Sequence, residues 1–263
     1  MTATDEKRIT TETRGHVLMI GLHRPAKMNA FDPEMLQQLA EAYSELENGP
    51  HRCAVLFAHG EHFTAGLDLA KVAPVVMQGK GLFPSENQID PFGLHGKVRT
   101  KPVVCAVHGR CLTLGIELVL ASDITIAADD TKFAQIEVKR GIFPFGGATL
   151  RWVQASGWGN AMRWLLTGDE LGAEEALRIG LIQEIAPRGA HLEKAIAIAE
   201  TIAAQAPLGV QATLQSARNR LEKGFEGAAK ELVPQILSLM QTDDAREGMM
   251  SFLERRTAKF EGK

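Results

Sequence analysis

Two acids and two glycine-bearing loops are the residues of this sequence best suited, by type and spacing, to do chemistry. Glu117 stands in an otherwise apolar run, Leu114-Gly115-Ile116-Glu117-Leu118-Val119-Leu120-Ala121, of helical composition. A carboxylate there is a local conflict, because a buried charge is costly unless it is paired or its pKa moves. Such conflicts tend to mark function, although an acid facing a neighbouring arginine or a polar seam would satisfy the same pattern. Glu137 follows 20 residues later on the next element. Two carboxylates can divide acid and base roles when their surroundings separate their pKa values. The loop Ala65-Gly66-Leu67 and the loop entering the helix at Leu114 could each supply a backbone N–H. Two such donors converging on one oxygen form an oxyanion hole, which stabilises negative charge developing on a carbonyl oxygen. Spacing alone does not single out this combination, since glycine loops usually make turns and acids usually face water.

Other chemistries find less support. The eight histidines include no HExxH pattern, and His59 and His62 lie in a loop with no further ligand set, so no metal is expected. There is no GxSxG nucleophile elbow and no Walker-type phosphate loop, and Gly79-Lys80-Gly81 is too short a signal to use. Cys53, Cys105 and Cys111 sit in or beside apolar strand-like runs without CxxC spacing. They read as reduced core residues of a cytoplasmic protein. A formal net charge of −3 with no basic stripe implies no nucleic-acid partner. No apolar run reaches the ~18 residues of a membrane span, and the charged start Met1–Arg8 is not a secretory signal.

The elements that must position the acids and loops can be read in order. At 263 residues the chain can form one large domain, or one with a smaller appendage. His16–Leu22 reads as a strand after a polar leader, followed by a turn-rich loop to Phe31. Asp32-Pro33-Glu34 supplies an N-cap, a first-turn proline and a first-turn acid. Met35, Leu36, Leu39, Ala42, Tyr43 and Leu46 follow at helical spacing until Asn48-Gly49-Pro50. Cys53–Ala58 is a second buried strand, and a helix begins near Asp68. Ala70–Val98 reads as helix plus loop that could wall an apolar pocket or simply cover the core. Val103–Val107 is a β-branched strand closed by His108-Gly109. Asp123–Ala128 is another strand, Phe133–Val138 a short strand or turn, and Gly141–Gly147 a loop before a helix from Ala148. A helix from Ala173 ends at Gly180 and leads into a strand over Ile182–Ile185. His191–Gln205, Gln211–Leu221, Glu231–Met240 and Asp243–Phe260 read as helices, with Met249, Phe252 and Leu253 forming a stripe suited to packing on the core or on a neighbouring subunit. Strand–helix alternation to about residue 190 predicts an α/β core with a helical appendage.

These residues carry a resemblance to the crotonase superfamily, the enoyl-CoA hydratase/isomerase family, from about Val17 to Lys263. His23-Arg24-Pro25-Ala26-Lys27-Met28-Asn29-Ala30-Phe31 is similar to the family's N-R-P-x-x-x-N-A-L/F segment. Phe63-Thr64-Ala65-Gly66-Leu67-Asp68-Leu69 resembles its F-x-A-G-x-D-L loop. Ser122-Asp123-Ile124-Thr125-Ile126-Ala127-Ala128 with Phe133 resembles S-D-I-x-I-A-A…F, and Gly141, Pro144, Gly146 and Gly147 resemble G-x-x-P-x-x-G-G. Leu166-Thr167-Gly168, Ala173–Ala176 and Gly180-Leu181 continue the match.

The resemblance implies a spiral α/β core of repeated ββα units over residues 1–200, holding an acyl-CoA site. It implies a helical region over 201–263 that assembles trimers, often paired into hexamers. Coenzyme A would be part of the substrate and no separate cofactor is implied. The resemblance places the oxyanion hole at the N–H groups of Leu67 and Leu114, and the CoA and substrate site along Lys27, Met28, Ala30, Ala65, Asp68 and Leu69. Glu117 and Glu137 fall on the two glutamates of the hydratases, where one activates water and the other exchanges the α-proton. The implied activity is reversible hydration of a 2-trans-enoyl-CoA. A double-bond isomerase is the alternative, with a thioesterase, C–C cleavage or a non-catalytic CoA-binding protein behind it. This chain departs from the family at Thr113-Leu114-Gly115-Ile116, where three glycines are frequent, and the leucines at positions 67 and 114 could narrow the acyl pocket. Dienoyl-CoA isomerases, which share the Phe63–Gly66 wording, carry an acid at the position of Phe145 and Asp at position 117. Both differences argue against that isomerase.

Overall fold

A computed structural model describes residues 7–78, 81–82 and 87–263. Gly79, Lys80 and Phe83, part of the loop readings above, lie outside the described residues, as do residues 1–6 of the polar leader. The main sheet has six strands. β1 (Ile9–Arg14) pairs antiparallel with β2 (Val17–Leu22). β2, β3 (Cys53–Ala58) and β4 (Val103–Val107) then run parallel in sequence order. After β5 (Arg110–Leu112), which belongs elsewhere, β6 (Ile124–Ala128) continues the sheet beside β4. β1 lies in the polar leader, where the sequence predicts no strand. Its single buried side chain, Ile9, is too weak a signal, and pairing with β2 is what makes it a strand.

The central strands are apolar at every position because both faces are covered. On β2, Leu18, Ile20 and Leu22 join the larger core, with Leu56 of β3 and Cys105 of β4. The alternating residues Val17 and Met19 face the other side, with Val55, Val104 and Ile126. The first face packs on α1 (Pro33–Asn48), whose N-cap Asp32 accepts the Met35 N–H at 3.0 Å, as its sequence predicts. The cysteines are unbridged and buried, and burial pushes the Cys53 thiol up to about 12.

Three successive turns of chain repeat one plan: a long strand, a short extended stretch, then a helix. β3 leads to Thr64, which bridges Cys111 in parallel, and then to α2 (Leu69–Met77). β4 leads to β5 and α3 (Leu114–Ala121). β6 leads to β7 (Lys132–Ala134), a 3-10 turn over Glu137–Arg140 and α4 (Ala148–Ser156). β5 pairs parallel with β7, and β8 (Glu170–Gly172), after α5 (Trp158–Leu165), pairs antiparallel with β7. This stacking is the spiral core expected from the resemblance, and it brings the segments after each short strand to one side.

α6 (Ala173–Arg178) and β9 (Glu184–Ala186) complete the main sheet beside β6. α7 (His191–Ala203) covers the second face, with Ala195, Ile196 and Ala199 buried. The tail follows its sequence reading except at its end, where the last helix stops at Glu254 and not at Phe260. Gln211–Leu221 and Glu231–Met240 fall on the two arms of α8 (Pro207–Leu239), which is broken at Gly224, where the backbone is non-helical with φ +71°. α9 (Asp243–Glu254) follows. The stripe Met249, Phe252 and Leu253 does not pack on the core but is exposed, as are Phe225, Val233 and Leu237. Among the described residues no helix is long and apolar enough to cross a membrane.

Candidate active site

The loop that precedes α2 is fixed by its neighbours on both sides. The Asn29 side-chain amide donates to the carbonyls of His59 and His62, each at 2.8 Å. Thr64 Oγ1 donates to the Asn29 carbonyl at 2.7 Å and accepts the Gly66 N–H at 3.0 Å. Gly66 O and Phe31 O bond the N–H groups of Phe31 and Asp68, each at 2.8 Å. With Gly66 at φ +90°, this ladder leaves the Leu67 N–H without an acceptor among the described residues. The Leu114 N–H opens α3, where no preceding turn can accept it, and it too is unpaired among the described residues. Ala65, Leu67, Leu69, Leu114, Glu117 and Glu137 line a single cavity of about 90 Å³, together with Thr113, Ile136, Arg140, Ile142 and Phe145.

Glu117 is 2% exposed and sits one turn into α3. One of its oxygens accepts the N–H groups of Gly146 at 2.7 Å and Ala148 at 3.2 Å. The carboxylate therefore rests on the N-terminal end of α4, where free N–H groups favour negative charge. Gly146 is required by this contact, because a Cβ there would lie 2.3 Å from Glu117 Oε2. Burial still pushes the Glu117 pKa up, opposed by those two N–H groups and by the charge of Arg151. The arginine reading of Glu117 is thus a minor part of the answer: its direct partners are backbone N–H groups.

Glu137 opens the 3-10 turn and is 8% exposed. Gln135 Nε2 donates to its Oε1 at 3.0 Å, while Oε2 is buried without a partner among the described residues. Burial, with the nearby charge of Glu117 adding to it, raises its pKa to about 7.

The remaining residues singled out in the sequence fall outside this cavity. Asp68 pairs with Arg24 at 2.9 Å, and Arg24 also donates to the Ala30 carbonyl at 2.8 Å, so this trio latches the two loops together. The Met28 carbonyl accepts the Ala65 N–H, and the Lys27 and Met28 side chains are exposed beside it. Among the described residues of 70–98 none lines the cavity; Ile89 and Phe92 are buried in the core instead. A wider depression of about 800 Å³, between Phe92, Arg99, Arg151 and Leu221, contains neither glutamate. Sequence reasoning missed Gln135 and the donor role of Gly146 and Ala148. The Gly-Gly pair before a helix was the readable signal for the second.

The enoyl-CoA hydratase/isomerase family model matches residues 12–263, nearly the whole chain. The chain belongs to the enoyl-CoA hydratase/isomerase family. A solved structure of a probable enoyl-CoA hydratase/isomerase from Mycobacterium abscessus superposes with a TM-score of 0.94 at 52% identity, covering 98% of this chain and 99% of that one. Enoyl-CoA hydratase EchA19 of Mycobacterium tuberculosis is 36% identical over 256 residues, 96% of each chain. The (E)-benzylidenesuccinyl-CoA hydratase of Thauera aromatica is 35% identical over 258 residues, covering 97% of this chain and 99% of its own. The chain is therefore an enzyme of the crotonase superfamily with an acyl-CoA substrate.

Proposed function

We propose that this family member reversibly hydrates a 2-trans-enoyl-CoA to a 3-hydroxyacyl-CoA. The observation that carries the reading is that one cavity is lined by two buried glutamates and by Leu67 and Leu114, whose backbone N–H groups have no acceptor among the described residues. The thioester oxygen would accept from the Leu67 and Leu114 N–H groups, which stabilise the enolate-like charge as it develops. Glu117, held as a hydrogen-bond acceptor, orients water and takes its proton as the oxygen bonds to C3. Glu137 delivers a proton to C2, and exchange afterwards returns the proton from Glu117 to Glu137. The sum is addition of water across C2=C3. A Glu137 pKa of about 7 suits a group that must be a proton donor in one direction and an acceptor in the other. Lys27, Met28, Ala30 and Asp68, which do not line the cavity, are assigned to the CoA moiety on the family resemblance.

The test follows loss of the enoyl-thioester absorbance with short and long 2-enoyl-CoAs. Glu117→Gln and Glu137→Gln are each expected to slow hydration by about 10²–10⁴-fold. Wild-type turnover in both variants would overturn the assignment. No hydration by the wild type, with turnover of a 3-enoyl-CoA instead, would identify an isomerase in which one glutamate shuttles the proton. The exposed apolar residues of 201–263 support assembly into trimers or dimers of trimers. A monomeric mass by light scattering at micromolar concentration would remove that part.

A further inference from the structure

Thr113 precedes the Leu114 N–H and holds an unusual backbone, φ +49° and ψ −113°. β-Branched residues rarely adopt positive φ, and strain of this kind persists where the surroundings over-determine it, often at functional sites. Its position makes it the N-cap of α3, where a threonine hydroxyl ordinarily accepts a helix N–H. Here it makes no such bond. The hydroxyl is turned instead across to the other loop. Thr113 Oγ1 occupies the space next to Gly66 so closely that a Cβ on Gly66 would lie 1.8 Å from it. Gly66 in turn precedes the Leu67 N–H. Thr113 lines the cavity, and among the described residues its hydroxyl has no hydrogen-bond partner. A strained residue has thus given up its helix cap, and its free hydroxyl lies between the two loops that carry the backbone donors.

We propose that the Thr113 hydroxyl is a third hydrogen-bond donor to the thioester oxygen of the bound acyl-CoA. The inference rests on the acyl-CoA reading of the cavity, but not on which reaction follows. The hydroxyl supplements the two N–H groups, and its rotation lets it follow the oxygen as charge builds. Glycine at position 66 is favoured already by its φ of +90°, and a side chain there would in addition displace the hydroxyl.

The experiment reads the carbonyl directly. Butyryl-CoA labelled at the thioester carbonyl has no double bond to hydrate, so its C=O stretch can be followed by difference infrared spectroscopy in the bound state. The wild type is expected to lower that frequency relative to free butyryl-CoA. Thr113→Val, nearly equal in shape, should lose part of the lowering and roughly tenfold to a hundredfold in turnover of a 2-enoyl-CoA. Thr113→Ser should recover most of both. If the valine variant does not fold, Thr113→Ala carries the same test. An unchanged carbonyl band and turnover in the variant lacking the hydroxyl would overturn the proposal. A lowered band in a wild type that hydrates no enoyl-CoA would overturn the hydratase reading while leaving Thr113 in place. Failure of the wild type to bind butyryl-CoA would overturn both.

Discussion

Glu117 rests on two backbone N–H groups at the start of α4, whereas Glu137, lining the same cavity, has one side-chain donor and one oxygen with no partner among the described residues. Both are buried, and burial raises both pKa values. The difference lies in what opposes burial. Fixed N–H groups favour the ionised form of Glu117 and pin its orientation, as suits the group that takes a proton from water in the hydration direction. The sparser seat of Glu137 leaves its two protonation states close in free energy near neutral pH. Two residues of one type are given two roles by their surroundings.

Short of removing a glutamate, the largest expected effect comes from disturbing the better-built seat. Gly146→Ala would place a Cβ against Glu117 Oε2, so the carboxylate must leave its N–H partners. Hydration should fall by about 10²–10³-fold, most of it in kcat, because misplaced catalytic groups cost rates of that order. Steady-state kinetics checks this. Full turnover in the alanine variant would mean that the α4 seat is not what makes Glu117 effective.

The second seat should reveal itself in stability. A carboxyl whose folded pKa lies above its unfolded value of ~4.3 costs no stability at low pH, where both states are protonated. As pH rises toward 7 the unfolded chain ionises while the folded one resists, so stability is lost, and the loss levels off above about 7. Glu137→Gln removes that titration while keeping the shape and the contact with Gln135. It should match the wild type near pH 3 and exceed it by about 2 kcal/mol at pH 8, allowing for relaxation around the charge. Thermal unfolding at the two pH values reads the difference. A gain independent of pH would place the burial penalty elsewhere. The same substitution is expected to abolish most of the activity, so the residue's cost to the fold and its use to the site would be seen together.

How much of this was legible beforehand follows from how local each feature is. The apolar runs of β2, β3 and β4, the Asp32 cap of α1 and the misplaced acid at 117 are written in a few adjacent residues. The Met1–Arg8 leader gave no hint that Ile9–Arg14 pairs with β2, because that strand is stabilised by a neighbour and not by its own pattern. By contrast, the break expected between Leu221 and Glu231 falls at Gly224, whose non-helical backbone at positive φ separates the two arms of α8. Within the site, residue type pointed to Glu117 and Glu137, but the donors that differentiate them lie 29 and 31 residues from one acid and 2 from the other. Only the spiral, which stacks successive turns after β5 and β7, brings the first pair together.

Gln135 offers the finest test of the comparison. Its amide N–H stabilises the ionised form of Glu137, and its own carbonyl oxygen is buried without a partner among the described residues. Gln135→Met keeps the length of the side chain and removes both groups. That bond is stronger to the ionised carboxylate than to the protonated one by roughly 1 kcal/mol, so its loss should raise the Glu137 pKa by about one pH unit or less. In the hydration direction Glu137 acts protonated, and the wild-type rate should fall as pH passes about 7. The methionine variant should therefore hold its hydration rate to higher pH than the wild type, even if its rate below pH 6 is a few-fold lower because the acid is less well aimed. In the dehydration direction, where Glu137 must be ionised to take the proton from C2, the rising limb should move up by the same amount. A limb that stays in place, or that moves in opposite senses for the two directions, would mean that the titrating group is not Glu137. A common upward shift would assign the limb to Glu137, the member of the pair whose protonation state before each turnover changes near neutral pH.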